Sequence, residues 1–271
     1  MGSFFDLVKS RRSVRSFDGR PVDVNLMKQL QDYSETVSNP YQIPVTFGFF
    51  DAKKYSLSSP VLTGVETYVT AKVKAGANAD VAYGYSFQQF LMKAHELGLG
   101  TVWIGGTMPR EKFEAAAEVA SDEIMPCMSP LGYTAKIGIK EALMRKGTKA
   151  DTRYDFGDLF FKDSFDTPLS EEDAKACNLF EALECVRWAP SAVNKQPWRI
   201  VVSGNRVHFF EKKDRGYDNG TYDLQKVDVG IAMYNFEAAL CSAGVTATCE
   251  VAAPNLTLPK DTEYIATYVL N

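Results

Sequence analysis

Leu26, Met27, Leu30 and Tyr33 recur at helical spacing and predict a helix over Asn25–Tyr33, after a shorter one over Asp6–Lys9. Phe47-Gly48-Phe49-Phe50 predicts a strand. Phe87, Phe90, Leu91, Ala94 and Leu97 mark the apolar face of a further helix. It ends at Gly98, because a left-handed C-cap suits glycine. A strand through Thr101-Val102-Trp103-Ile104, a Gly105-Gly106 turn and a helix around Glu111–Ala120 follow.

The same order returns further along the chain. Phe165-Asp166 with Ser170-Glu171-Glu172 echoes Phe17-Asp18 and the run to Asn25. Leu179, Phe180 and Leu183 repeat the spacing of Leu26, Met27 and Leu30. The stretch Gly230–Gly244, with Tyr234, Phe236, Ala239 and Leu240, resembles the helix before Gly98, and Val245–Thr248 stands where Thr101–Ile104 stood. We read this as a duplication, with a first half over 1–160 and a second, interlocked half over 161–271.

Composition narrows the class. An apolar fraction of 45% with 24% charged residues is that of a globular chain with ample core. The net charge of −4 argues against a general nucleic-acid surface, so local basic clusters are judged as sites for small anions. Lys9, Arg11, Arg12 and Arg15 are followed by no apolar stretch, so no signal peptide is expected. No apolar run reaches the ~18 residues a spanning helix needs, so no membrane association is expected. Five cysteines without a Cys-x-x-Cys pair read as reduced thiols in a cytoplasmic protein. His95 and His208 are the only histidines, and no metal site is expected; His95-Glu96 opens like a zinc-protease helix, but position 99 is Leu.

Two segments carry the candidate chemistry. Arg11-Arg12-Ser13-Val14-Arg15-Ser16-Phe17 places three guanidinium groups and a hydroxyl together, a set suited to a phosphate. Ala189-Pro190-Ser191-Ala192-Val193-Asn194-Lys195-Gln196-Pro197-Trp198 is a rigid proline turn with a short hydroxyl and an amide, suited to close approach to a planar edge. These segments, with Leu97–Gly106, resemble the nitroreductase family of flavin enzymes. In that family the Pro-Ser-Asn segment follows soon after the Arg-rich opening, and each flavin site is built from two subunits of a homodimer. Here the two lie far apart in one chain. The resemblance therefore implies an α+β nitroreductase-like fold in which two diverged half-domains form an intramolecular pseudo-dimer.

The resemblance also implies residue roles. Arg11, Arg12, Ser13 and Arg15 would line the flavin of one FMN. Arg153, in the stretch Arg153–Leu159, would grip its phosphate. The family often has a further basic residue two positions earlier, where this chain has Asp151, leaving Lys149 as a substitute. Pro190, Ser191, Ala192 and Asn194 would approach the ring and ribityl chain, and Gln196-Pro197-Trp198 would fix the turn. In the turn Ile104-Gly105-Gly106 a backbone N–H would face flavin N5, though a glutamate frequent in the family at the position of Gly105 is absent. The paired copies of these segments are decayed: Ser38–Pro44 is a poor relic of the Pro-Ser-Asn turn, Lys162–Phe165 lacks the arginine pair, and Ala252-Ala253-Pro254 replaces the glycines. One FMN per chain is expected.

No nucleophile–base pair is found, and none is needed, because a flavin carries its own chemistry. The implied activity is FMN-dependent NAD(P)H oxidoreduction, with a nitroaromatic or quinone-type small molecule as acceptor. The internal pairing makes a monomer sufficient. Two alternatives stay open: a flavin-binding or storage protein without turnover, and reductive dehalogenation of a dedicated substrate.

Overall fold

The computed structural model describes residues 3–271, the side chains of Ile139 and Lys140 excepted. Along the chain come α1 (Phe4–Ser10), α2 (Val24–Ser34), β1 (Val45–Asp51), β2 (Thr67–Lys74), α3 (Ala79–Glu96), α4 (Arg110–Ala116), β3 (Glu123–Ile124), β4 (Met128–Leu131) and α5 (Ile139–Gly147). Then follow α6 (Phe156–Leu159), β5 (Phe160–Lys162), α7 (Glu171–Ala176), α8 (Phe180–Arg187), β6 (Trp198–Ser203), β7 (Arg206–Lys212), α9 (Leu224–Ser242), β8 (Ala247–Glu250) and β9 (Thr262–Leu270). Two compact units result. One is Ser10–Asp151, and the other joins the chain up to Lys9 with Thr152–Asn271.

In the unit Ser10–Asp151, β1 and β2 form an antiparallel pair, and β2 also pairs antiparallel with β3 and β4. Asp23 starts α2 by accepting from the N–H groups of Asn25 and Leu26, two donors a helix start leaves without partners. Helix α3 covers the sheet, with the Phe47 ring 6.1 Å from Phe87 and 5.2 Å from Phe90. A second apolar cluster gathers Phe50, Tyr68, Ile104, Met108, Phe113 and Met128. Gly98 closes α3 at φ +82°, the left-handed conformation expected of it.

The predicted strand Thr101–Ile104 is not continuous. It makes isolated bridges, Gly100 to Gly132 and Ile104 to Met128. Between them the Val102 N–H donates to the Ser129 hydroxyl at 3.1 Å, so a side chain replaces the backbone acceptor and interrupts the ladder.

The other unit carries a five-stranded sheet in the order β5-β6-β7-β9-β8, with β5 parallel to β6 and the rest antiparallel. Helix α9 is capped by Asp223 and packs Phe236 against Phe209 and Tyr268, each at 5.4 Å. Trp198 is fully buried. The hairpin β6–β7, helix α9, a glycine stop at Gly244 (φ +75°) and the pair β8–β9 repeat the order of β1–β2, α3, Gly98 and the bridges to β4.

The expected halves, 1–160 and 161–271, differ from these units at both ends. Residue 160 lies where α6 runs directly into β5, and Phe160 pairs with Ile200, which draws the preceding residues into the second sheet's unit. Helix α1 joins it too, through the Phe4 and Tyr234 rings at 5.9 Å and through Lys9, whose ammonium lies 3.6 Å from the Trp188 ring centroid.

Candidate functional site

In the unit Ser10–Asp151, residues 13–18 are laced into the backbone around them. The Val14 N–H donates to the Thr101 carbonyl (2.9 Å), Phe17 to Thr63 (2.9 Å), Thr63 back to Arg15 (3.0 Å) and Ala135 to Ser16 (2.9 Å). Val14 and Phe17 are buried, whereas Arg11, Arg12, Ser13 and Arg15 are half-buried. The backbone is therefore rigid where the guanidinium groups leave it.

Glu141 of α5 organises two of them. Its carboxylate is 1% exposed, pairs through Oε1 with the Arg12 guanidinium at 2.5 Å, and accepts the Arg15 N–H at Oε2. The Arg15 guanidinium is lowered from its ordinary value by burial first, with the Glu141 charge opposing and Arg145 adding to the effect. Its Nε is buried and makes no hydrogen bond within the protein. A buried cationic donor without an acceptor is costly unless an anion meets it, so this position fits a phosphate or other oxyanion. Asp151, which stands where the family often has a basic residue, forms an ion pair with Arg145 of α5.

Ile104 is buried and exchanges backbone hydrogen bonds with Met128. Gly106 is exposed, and a Cβ added there would meet nothing within 4 Å, which leaves the backbone open to a flat ligand. The bridge Ser13 to Thr101 brings the arginine segment beside the stretch that leads to this turn. A cavity of about 160 Å³ near Arg12 is lined also by Ser10, Val14, His95 and Thr134. That is below the roughly 300–1,000 Å³ of typical ligand pockets.

In the other unit, Arg153 and the proline turn converge. The Arg153 guanidinium donates to the carbonyls of Thr152 (2.6 Å) and Trp188 (3.3 Å) and lies 4.6 Å from the Trp188 ring centroid. The Asn194 amide donates to the same Thr152 carbonyl at 3.1 Å. Lys9 stacks on the same indole, whose N–H is held by Glu184 at 3.1 Å. Two cations thus lie against one indole ring, an arrangement that suits an incoming anion.

The turn itself is held from several sides. The Ser191 hydroxyl accepts the Gln196 N–H at 2.9 Å, and Gln196 Oε1 accepts the Tyr154 N–H at 3.1 Å. The Ala192 N–H donates to both carboxylate oxygens of Asp228, at 3.2 and 3.0 Å. Pro190, Ser191 and Ala192 precede residues with positive φ at Val193 (50°), Asn194 (57°) and Gln196 (50°).

Of the residues singled out in the sequence, Arg11, Arg12, Ser13, Arg15, Ile104, Gly105 and Gly106 thus belong to one unit, and Arg153, Pro190, Ser191, Ala192 and Asn194 to the other. Sequence reasoning missed Lys9, Glu141, Arg145, Trp188 and Asp228. Glu141 lies 129 positions from Arg12, and no local pattern pairs them. Trp188 had a local signal, being next to the quoted decapeptide.

A family model described as "Putative TM nitroreductase" matches residues 3–240. Among curated proteins no sequence matches. A solved structure from Thermotoga maritima MSB8, described as a "putative nitroreductase", is 17% identical over 99% of this chain and 93% of its own, with a TM-score of 0.64. An FMN-dependent nitroreductase from Clostridium difficile R20291 is 16% identical over 49% of this chain and 88% of its own, with a TM-score of 0.42. The first of these shares the fold across the chain. Among the described residues no helix is long and apolar enough to cross a membrane.

Proposed function

The chain belongs to this nitroreductase family, and from that premise we propose that it is an FMN-dependent oxidoreductase. It takes a hydride from NADH or NADPH and passes electrons to an electron-poor small molecule of nitroaromatic or quinone type. When bound, FMN supplies a ring that accepts hydride at N5 and returns the electrons.

The residues of this chain bind and orient. Arg11, Arg12, Ser13 and Arg15 line the cofactor, and Arg153 takes its phosphate, joined by Lys9 on the same indole ring. Pro190, Ser191, Ala192 and Asn194 meet the ring edge and ribityl chain. The turn Ile104-Gly105-Gly106 presents a backbone N–H to N5, with no side chain at Gly106 to hold the ring away. One FMN is bound per chain. The observation that carries this reading is the buried, unpartnered Arg15 Nε, in a segment where Glu141 fixes the neighbouring Arg12.

The test has two parts. Rapid mixing of the flavin-loaded protein with NADH or NADPH should bleach the bound flavin, and re-addition of a quinone should restore its colour. Bound flavin that neither nucleotide bleaches would instead mark a storage protein. Flavin released from pure protein should approach one equivalent per chain, and a ratio near two would overturn the single-site assignment.

A further inference from the structure

Val193, Asn194 and Gln196 are all left-handed and none is glycine, so the turn is strained by its own sequence. Such strain persists only where surrounding bonds over-determine it, and it gathers at functional sites. Most of the bonds that hold this turn come from residues close in sequence or from the extended segment 152–154. Asp228 differs. It stands in the first turns of the long helix α9, is 4% exposed, and takes the Ala192 N–H on both oxygens.

We propose that Asp228 is a positioning residue that sets the flavin-facing geometry of the Pro190–Asn194 turn by anchoring the Ala192 N–H. The proposal rests on the reading that this turn meets FMN.

Other acidic groups surround the anchor. Asp223 at the start of α9 and Glu211 of β7 both face it, and Tyr217 feels its charge. Lys213 and Lys226 act on Glu211, but each is paired with Glu263. Burial, then the charges of Asp223 and Glu211, hold the Asp228 carboxyl well above the usual range, against the Ala192 hydrogen bond. Burial likewise pushes Glu211 up to about 8. Protonated, Asp228 still offers an oxygen to Ala192. Ionised, it would accept from Ala192 more strongly while standing among other carboxylates in a dry site, so the anchor holds in either state.

Asp228→Asn keeps an amide oxygen for Ala192 and has no proton to lose, whereas Asp228→Ala removes the acceptor. Two readouts separate the causes. Amide exchange at Ala192 in flavin-free protein should accelerate in Asp228→Ala and stay near wild type in Asp228→Asn. The FMN Kd, from flavin fluorescence quenching at neutral pH, should rise about five- to a hundredfold in Asp228→Ala, the range for losing one buried hydrogen bond. It should stay within about threefold in Asp228→Asn. Wild-type Kd in Asp228→Ala would overturn the proposal. So would unchanged amide exchange at Ala192 in Asp228→Ala; if that variant does not fold, Asp228→Leu, of similar shape and equally without an acceptor, decides the matter by the same two readouts. Absence of FMN binding by the wild type would instead overturn the functional reading, and exchange at Ala192 would still decide whether Asp228 holds the turn.

Discussion

Gly64 has φ +70°, and a Cβ built on it would lie 2.1 Å from the Phe17 carbonyl oxygen and 2.9 Å from its carbon. Gly64→Ala therefore adds two penalties. The left-handed conformation costs an alanine roughly 1–2 kcal/mol. The clash is with backbone, so it is not relieved by a side-chain rotation, and overpacking of this kind costs roughly 1–3 kcal/mol more. Gly19 separates the two, because it is also left-handed (φ +78°) but a Cβ there would meet nothing within 4 Å. At about 2–4 °C per kcal/mol, Gly64→Ala should lower Tm by roughly 5–20 °C and Gly19→Ala by only a few degrees. Thermal denaturation of the flavin-free variants checks this. The displaced carbonyl belongs to the segment that carries Arg15, whose own carbonyl accepts the Thr63 N–H at 3.0 Å. A loss of FMN affinity should therefore accompany the loss of stability in Gly64→Ala and be smaller in Gly19→Ala. Equal melting temperatures for the two variants would refute the close-approach argument.

Two further outcomes follow from buried carboxylates. Glu141→Gln leaves one acceptor for Arg12 and Arg15 and removes the charge; because Arg12 is 30% exposed, the loss should be about 1–2 kcal/mol, below that for breaking a fully buried pair. Urea denaturation measures it, and an unchanged midpoint would show that the pair contributes nothing. Glu211 is raised to about 8 by burial first and then by Asp223, while the unfolded chain releases this proton near the ordinary value of 4.5. Between those values the unfolded state binds fewer protons, so stability should fall as pH rises from about 4.5 to about 8 and flatten beyond. Glu211→Gln should make that slope shallower, and an identical slope would refute the assignment.

Local patterns carried the elements whose causes are local. The apolar spacing at Leu26, Met27, Leu30 and Tyr33 predicts a helix, and α2 spans Val24–Ser34 because Asp23 caps it. Gly98 stops α3 because glycine alone enters the left-handed region without strain. The family was legible for a similar reason: its motifs are short runs of adjacent residues. The interruption at Thr101–Ile104 was not legible, since it depends on the Ser129 hydroxyl across the sheet.

The supports of the candidate site were hidden in the same way. Arg12 and Arg15 announce a cationic segment, but only the fold brings Glu141 against them. The strain at Val193 and Asn194 and its anchor at Asp228 arise from one turn pressed on one helix. Grouping α1 with the second sheet's unit rests on Lys9 over Trp188 and Phe4 beside Tyr234. By itself the sequence determined such helices as α2 and α3, the stop at Gly98 and the family, because these follow from neighbours along the chain. The tertiary structure alone decided which charges are paired, which are buried and which turn is strained, because burial and pairing depend on residues distant in sequence.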